Sequence, residues 1–207
     1  MVILKKLFKQ TFIYGLATVL PRALAIFLVP LYVLALGKEQ FGIYASLMAF
    51  LVLGNVLLSY GMETAFFRFI NKDEHQKENV QSTALFSLTV TALFFLVISL
   101  SLKSEIATFL NFKVTYIIYG LLILSLDALV VIPFVWLRAN ERPTTYAIIK
   151  ILNVVINLGF NLFFFLALPF LAKNDVNSFW NAINLVEGKV AYVFISNLIA
   201  SGITFLI

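Results

Sequence analysis

Apolar residues in this chain come in six long runs separated by short polar stretches. The runs are Thr11–Leu36, Phe41–Ile70, Ala84–Leu102, Tyr116–Leu137, Tyr146–Leu171 and Ala191–Ile207. A helix needs about 20 largely apolar residues to cross a hydrocarbon layer about 30 Å thick, within a usual range of roughly 17–25. All six runs lie near or above that length. They are continuous rather than alternating, which predicts α-helices and not the strands of a barrel.

The connections fit six helices. Gly37-Lys38-Glu39-Gln40 predicts a tight hairpin, and NKDEHQKEN at 71–79 a polar loop. Residues 103–115 are moderately polar and predict a short interfacial helix. ANERP at 139–143 stops one helix and starts the next, with Pro143 at a first-turn position where its missing N–H costs little. Residues 173–189, with Trp180, read as an interfacial segment.

Composition sharpens this into an all-α, polytopic membrane protein. Of 207 residues, 62% are hydrophobic and 12% charged, half the roughly 25% of a soluble domain, and mean hydropathy is +1.00. Twenty-two phenylalanines and eight tyrosines suit a lipid-facing surface with interfacial anchors. Cysteine is absent, which excludes disulfides, thiolate metal sites and cysteine nucleophiles. The basic start MVILKKLFKQ resembles a signal peptide, but the first run is about 26 residues against the roughly 7–15 of a signal core, so it reads as a retained span. NLIASGITFLI ends the chain inside an apolar run, which reads as a truncated chain.

The net charge of +5 is explained by topology rather than by nucleic acid. One face collects Lys5, Lys6, Lys9, Arg68, Lys72, Lys77, Arg138, Arg142 and Lys150; the other collects Lys38, Lys103, Lys113, Lys173 and Lys189. Nine against five places the N-terminus in the cytoplasm.

Three ionisable residues sit deep in the runs: Arg22, Glu63 and Asp127. Each costs roughly 2.5–3.5 kcal/mol to insert, so each is a functional candidate by default. At about 1.5 Å per residue, Arg22 lies roughly 16 Å, Asp127 roughly 15 Å and Glu63 roughly 10 Å from the cytoplasmic ends of their helices. The matching depths predict that Arg22 faces a cavity, its charge balanced by Asp127 or Glu63; a structural ion pair is the competing reading. Asn153, Asn157 and Asn161 recur every four residues on one helix face, lining a cavity or bonding a neighbouring helix. Asn55 and Asn197 are isolated and read as structural.

Pro21 and Pro30 are expected to break the backbone ladder beside Arg22. Pro133 and Pro169 read as structural, the aromatics of FNLFFFLALPF as lipid-facing, and His75 as a solvated loop residue. The chain has no Walker loop, G-x-G-x-x-G, H-E-x-x-H or G-x-S-x-G. ATP hydrolysis is thereby excluded, and the residues point to no enzyme, metal or cofactor.

KQTFIYGLATVLPRALAIFLVPLYVLALGKEQFGIYA is a basic stub, a first helix with a central arginine, and a short turn into a second helix. That helix ends in YGMETAFFRF before a charged loop, and WLRANERPTTYAIIKI later carries a basic turn into a long helix. In this order and spacing, the segments resemble the polysaccharide-exporter branch of the multidrug/oligosaccharidyl-lipid/polysaccharide exporter superfamily. The resemblance implies a Wzx-type flippase that moves undecaprenyl-diphosphate-linked oligosaccharide across the bacterial plasma membrane for cell-surface polysaccharide or lipopolysaccharide biosynthesis. It also implies two six-helix lobes around a cationic central cavity, of which this chain supplies the N-terminal one. Arg22 would then pair with phosphate oxygens, the asparagine stripe with sugars, and Asp127 or Glu63 with Arg22 or a coupling ion. A drug antiporter of the same fold, a membrane-embedded glycan polymerase or ligase, and a structural membrane subunit remain as alternatives.

Overall fold

The computed structural model describes residues 2–71, 76–174 and 188–207. His75 and the rest of 72–75, and the segment 175–187 with Trp180, lie outside the described residues, as do the side chains of Lys5, Lys6 and Lys9. All described secondary structure is helical. Five stretches are long and apolar enough to cross a membrane: Thr11–Ile70, Lys77–Ser101, Val114–Ala139, Pro143–Ala172 and Lys189–Leu206.

The first of these is two passes. Sixty residues of straight helix would measure about 90 Å, three times the hydrocarbon layer. The helical geometry breaks at Gly37, with φ 72° and ψ 174°, a conformation that only a residue without a Cβ adopts cheaply. Tyr32 and Tyr44, about 18 Å apart along a straight helix, bring their ring centroids to 4.9 Å. The chain therefore doubles back at Gly37, giving α1 (residues 2–36) and α2 (residues 38–70). α2 breaks again at Tyr60 and Gly61, both at positive φ, and resumes at Met62.

The remaining elements are α3 (Lys77–Ser101), the short α4 (Lys103–Leu110), α5 (Val114–Ala139), α6 (Pro143–Ala172) and α7 (Lys189–Leu206). α5 steps at Val130, where the Pro133 ring would crowd the preceding turn and supplies no N–H. α6 opens on Pro143 and widens into a π turn at Phe163–Ala167, just before Pro169. Gly37, α4 and Gly188 lie at one end of the bundle; Asn71 and the 140–142 turn lie at the other.

Two expectations are corrected. α1 stays helical through Pro21 and Pro30 and breaks only at Gly37; proline's fixed φ suits a helix, and each ring removes one backbone bond without opening the chain. The FNLFFFLALPF aromatics are not simply lipid-facing. Phe164 is buried and stacks on Tyr192 at 5.0 Å and 7°, and Phe165 meets Tyr32, while Phe170 points outward.

α5 is the central helix, packed against α2, α3 and α7, while α6 lies against α1 and α7. α2 and α5 approach through glycines. A Cβ on Gly54 would stand 2.8 Å from Leu124 Cδ1, and one on Gly120 would stand 3.3 Å from Leu51 Cδ2. Small residues allow such approach where lipid offers helices no hydrophobic drive to associate. At the Gly37 end, Leu28, Tyr32, Leu47, Tyr116, Ile117, Val193 and Phe194 form one core; at the other, Phe66, Ile70, Leu88, Ile132 and Val135 form a second. Outside, Leu34 is 86% and Leu57 78% exposed, whereas Asn161 and Ser196 inside are fully buried. That distribution belongs to a protein solvated by lipid: the chain is a multi-pass membrane protein.

Candidate functional site

Between α2, α5, α6 and α7, toward the 140–142 end, lies a cavity of about 470 Å³. Each helix presents polar residues to it at helical spacing. α2 contributes Asn55, Ser59 and Glu63; α5 contributes Asp127 and Arg138; α6 contributes Tyr146, Lys150 and Asn153; α7 contributes Asn197, Ser201 and Thr204. Steps of three, four and seven put such residues on one face of a helix.

Two carboxylates and two cations set the electrostatics. Glu63 Oε1 lies 2.7 Å from Arg138 Nη2. The Arg138 guanidinium also lies against the rings of Phe67 and Tyr146, at 5.5 and 5.6 Å. Asp127 is held differently: Ser201 Oγ donates to its Oδ1 at 2.8 Å, and Asn55 Nδ2 reaches its Oδ2 at a longer 3.4 Å. One carboxylate thus ties α5 to both α7 and α2. Lys150 is within electrostatic reach of Asp127. Its ammonium sits 4.3 Å from the centroid of the Phe134 ring, and among the described residues it makes no ion pair or hydrogen bond.

Arg22 stands elsewhere. Its side chain is on the exposed face of α1, it does not line this cavity, and Glu63 pairs with Arg138 rather than with it. Among the described residues Arg22 makes no ion pair. Near-equal depth brought Glu63 and Asp127 to one cavity, but depth carries no information about the direction in which a helix points its side chain.

The asparagine stripe divides between its two readings. Asn153 lines the cavity and donates to Thr204 Oγ1 on α7 at 2.8 Å. Asn161 is fully buried: it accepts from Tyr32 Oη at 2.9 Å and donates to the Asn157 backbone and side-chain oxygens at 2.8 and 2.9 Å. Asn157 and Asn153 line a smaller cavity of about 210 Å³ beside Tyr32 and Tyr44.

Arg138, Lys150, Asn55, Asn197 and Ser201 also line the cavity, although along the chain Arg138 and Lys150 read as loop cations, Asn55 and Asn197 as isolated, and Ser201 as unremarkable. The signal was available. Lys150 continues the stripe of Asn153, Asn157 and Asn161 backward by one turn; Asn197, Ser201 and Thr204 form a second stripe; and Asn55, Ser59 and Glu63 form a third. The expected cationic cavity is, within these helices, charge-balanced: Arg138 and Lys150 face Glu63 and Asp127.

The arrangement offers hydrogen-bond donors and acceptors for hydroxyl-rich matter, and an ammonium not bonded to any described group. The described residues hold no cluster of three or more metal-ligating His, Cys, Asp or Glu side chains. No curated protein and no solved structure gives a significant match to the chain. A family model described as polysaccharide biosynthesis protein matches residues 7–201, taking in most of α1, all of α2–α6 and most of α7. The chain therefore belongs to the polysaccharide biosynthesis protein family.

Proposed function

We propose that this protein translocates an undecaprenyl-diphosphate-linked oligosaccharide across the bacterial plasma membrane, with its N-terminus in the cytoplasm. The observation that carries the reading is a polar, charged cavity built by four helices inside a lipid-exposed bundle of this family. A sugar-diphosphate head group cannot cross hydrocarbon unassisted, because its charges and hydroxyls would lose their water without replacement. The cavity supplies replacements: Lys150 as the phosphate partner, with Asn153, Asn197 and Thr204 for hydroxyls. Arg22, on the exposed face of α1, presents a second cation to the translocation path, where a second six-helix lobe completes the route. Its planar fork suits phosphate oxygens. Alternating access follows from rocking of the two lobes, as in parallel-repeat transporters.

The test is surface glycan in cells carrying single substitutions. Lys150→Ala and Arg22→Ala should each reduce export at least tenfold, with membrane-inserted protein at wild-type level. Normal export in both variants would refute the reading. A drug antiporter of the same fold is distinguished by the converse result: drug sensitivity changed and surface glycan intact.

A further inference from the structure

A groove of about 740 Å³ lies outside the polar cavity, between the last segment of α2 and the start of α3. It lies just past the point where α2 stops and restarts. Tyr60 and Gly61 both take positive φ, and the helix resumes at Met62. Phe66 and Ile70 then pack with Ala84 and Leu88 of α3, and the groove opens beside that contact. At its inner end Tyr60 Oη lies 3.0 Å from Ser87 Oγ.

The two walls differ. α2 contributes the apolar Met62, Ala65 and Phe69; α3 contributes Gln76, Asn79 and Thr83 at helical spacing. Among the described residues the side chains of these three make no hydrogen bond, and Gln76 stands at the N-cap of α3 without a capping bond. Polar groups facing hydrocarbon without a partner cost free energy that a ligand can recover. Phe69 is 43% exposed and Phe86, nearby on α3, 71%, so the groove opens onto the outer surface of the bundle.

Charge completes the pattern. Arg68 and Lys77 adjoin Phe69 and Gln76 in the chain; both are exposed, and neither makes an ion pair among the described residues. The nearby acids are turned elsewhere. Glu63 pairs with Arg138, and Glu78 lines a separate recess with Gln81 and Ser82.

We infer that this groove seats an anionic phospholipid of the surrounding leaflet. One acyl chain lies along Met62, Ala65 and Phe69. The ester oxygens accept from Thr83, Asn79 and Gln76, and the phosphate faces Arg68 and Lys77. In the topology proposed above, that leaflet is the cytoplasmic one, whose anionic head groups attract basic residues at the membrane surface. The site is separate from the polar cavity and does not depend on the substrate reading.

The test is fluorescence quenching in vesicles of phosphatidylcholine with brominated acyl chains, mixed with rising fractions of unbrominated phosphatidylglycerol. The full chain carries one tryptophan at a time, in a background of Trp136→Phe and Trp180→Phe. Phe69→Trp and Ala65→Trp report the groove; Leu57→Trp reports the outward face. Phosphatidylglycerol should relieve quenching at both groove positions as though bound about tenfold more tightly than phosphatidylcholine, the contribution of two surface cations. At Leu57→Trp the relief should follow the bulk lipid composition. Arg68→Gln combined with Lys77→Gln should bring the groove to that same proportion. Relief in the groove that follows bulk composition from the outset, or a preference that survives the loss of both cations, would overturn the assignment. Absence of quenching at both groove positions in pure brominated phosphatidylcholine would show that protein covers the groove, and would overturn it equally.

Discussion

Glu63 and Arg138 meet at 2.7 Å across α2 and α5, and their side chains are 47% and 28% exposed. The contact spans the mouth of the cavity at the end where α2 resumes after its Gly61 break. It pairs one of the two cations of the cavity and leaves Lys150 with no ion pair among the described residues.

Breaking this pair should cost little stability, because both partners retain access to the cavity. Arg138→Ala is expected to lower stability by about 1 kcal/mol, and Glu63→Gln by less. A double-mutant cycle on thermal unfolding in detergent should return a coupling below about 1 kcal/mol. A coupling of several kcal/mol would mean that the pair is fully desolvated and structural.

The Tyr32–Asn161 bond should behave in the opposite way, because it is buried. Asn161→Ala leaves the Tyr32 hydroxyl without its acceptor and should destabilise by about 1–3 kcal/mol. Tyr32→Phe should cost about 1 kcal/mol. The two losses should not add, since each removes the same bond. Additive losses in thermal unfolding would show that the two residues act independently.

Gly54 should tolerate only small additions. Gly54→Val forces carbon into the space of Leu124, where even a Cβ would stand at 2.8 Å. Overpacking of this kind costs about 1–3 kcal/mol. Leu124→Ala in the Gly54→Val background should recover part of the loss, because the clash is with the end of one flexible side chain. Absence of any recovery would place the strain in the backbone instead.

The chain has no cysteine, so single introduced thiols report water directly. Cysteine at Asn197 or Thr204, inside the cavity, should react with a membrane-impermeant thiol reagent. Cysteine at Leu57 or Phe94, on the outward face, should react at least tenfold more slowly. Equal rates would mean that the cavity is dry or that the outward face is not against lipid.

The expectations drawn from hydrophobic pattern held where the physics is one-dimensional. A run of 20 apolar residues must become a helix in lipid, whatever its neighbours, because its backbone has no other hydrogen-bond partners. The Gly37 reversal and the Pro143 start are local in the same sense: each depends on what one residue's backbone can adopt. Azimuth is different. Arg22, Glu63 and Asp127 read alike as charges at similar depth, yet α1 turns Arg22 outward while α2 and α5 turn the carboxylates to one cavity. Lys150 reads along the chain as a loop cation, and only the packing of the helices brings it to the cavity that Asp127 also lines. The amino-acid order therefore determined how many times the chain crosses and where it turns. The rotation of each helix about its own axis, and with it the composition of the cavity, was decided by close contacts such as Gly54 with Leu124. These pair residues far apart in sequence, and no local propensity encodes them.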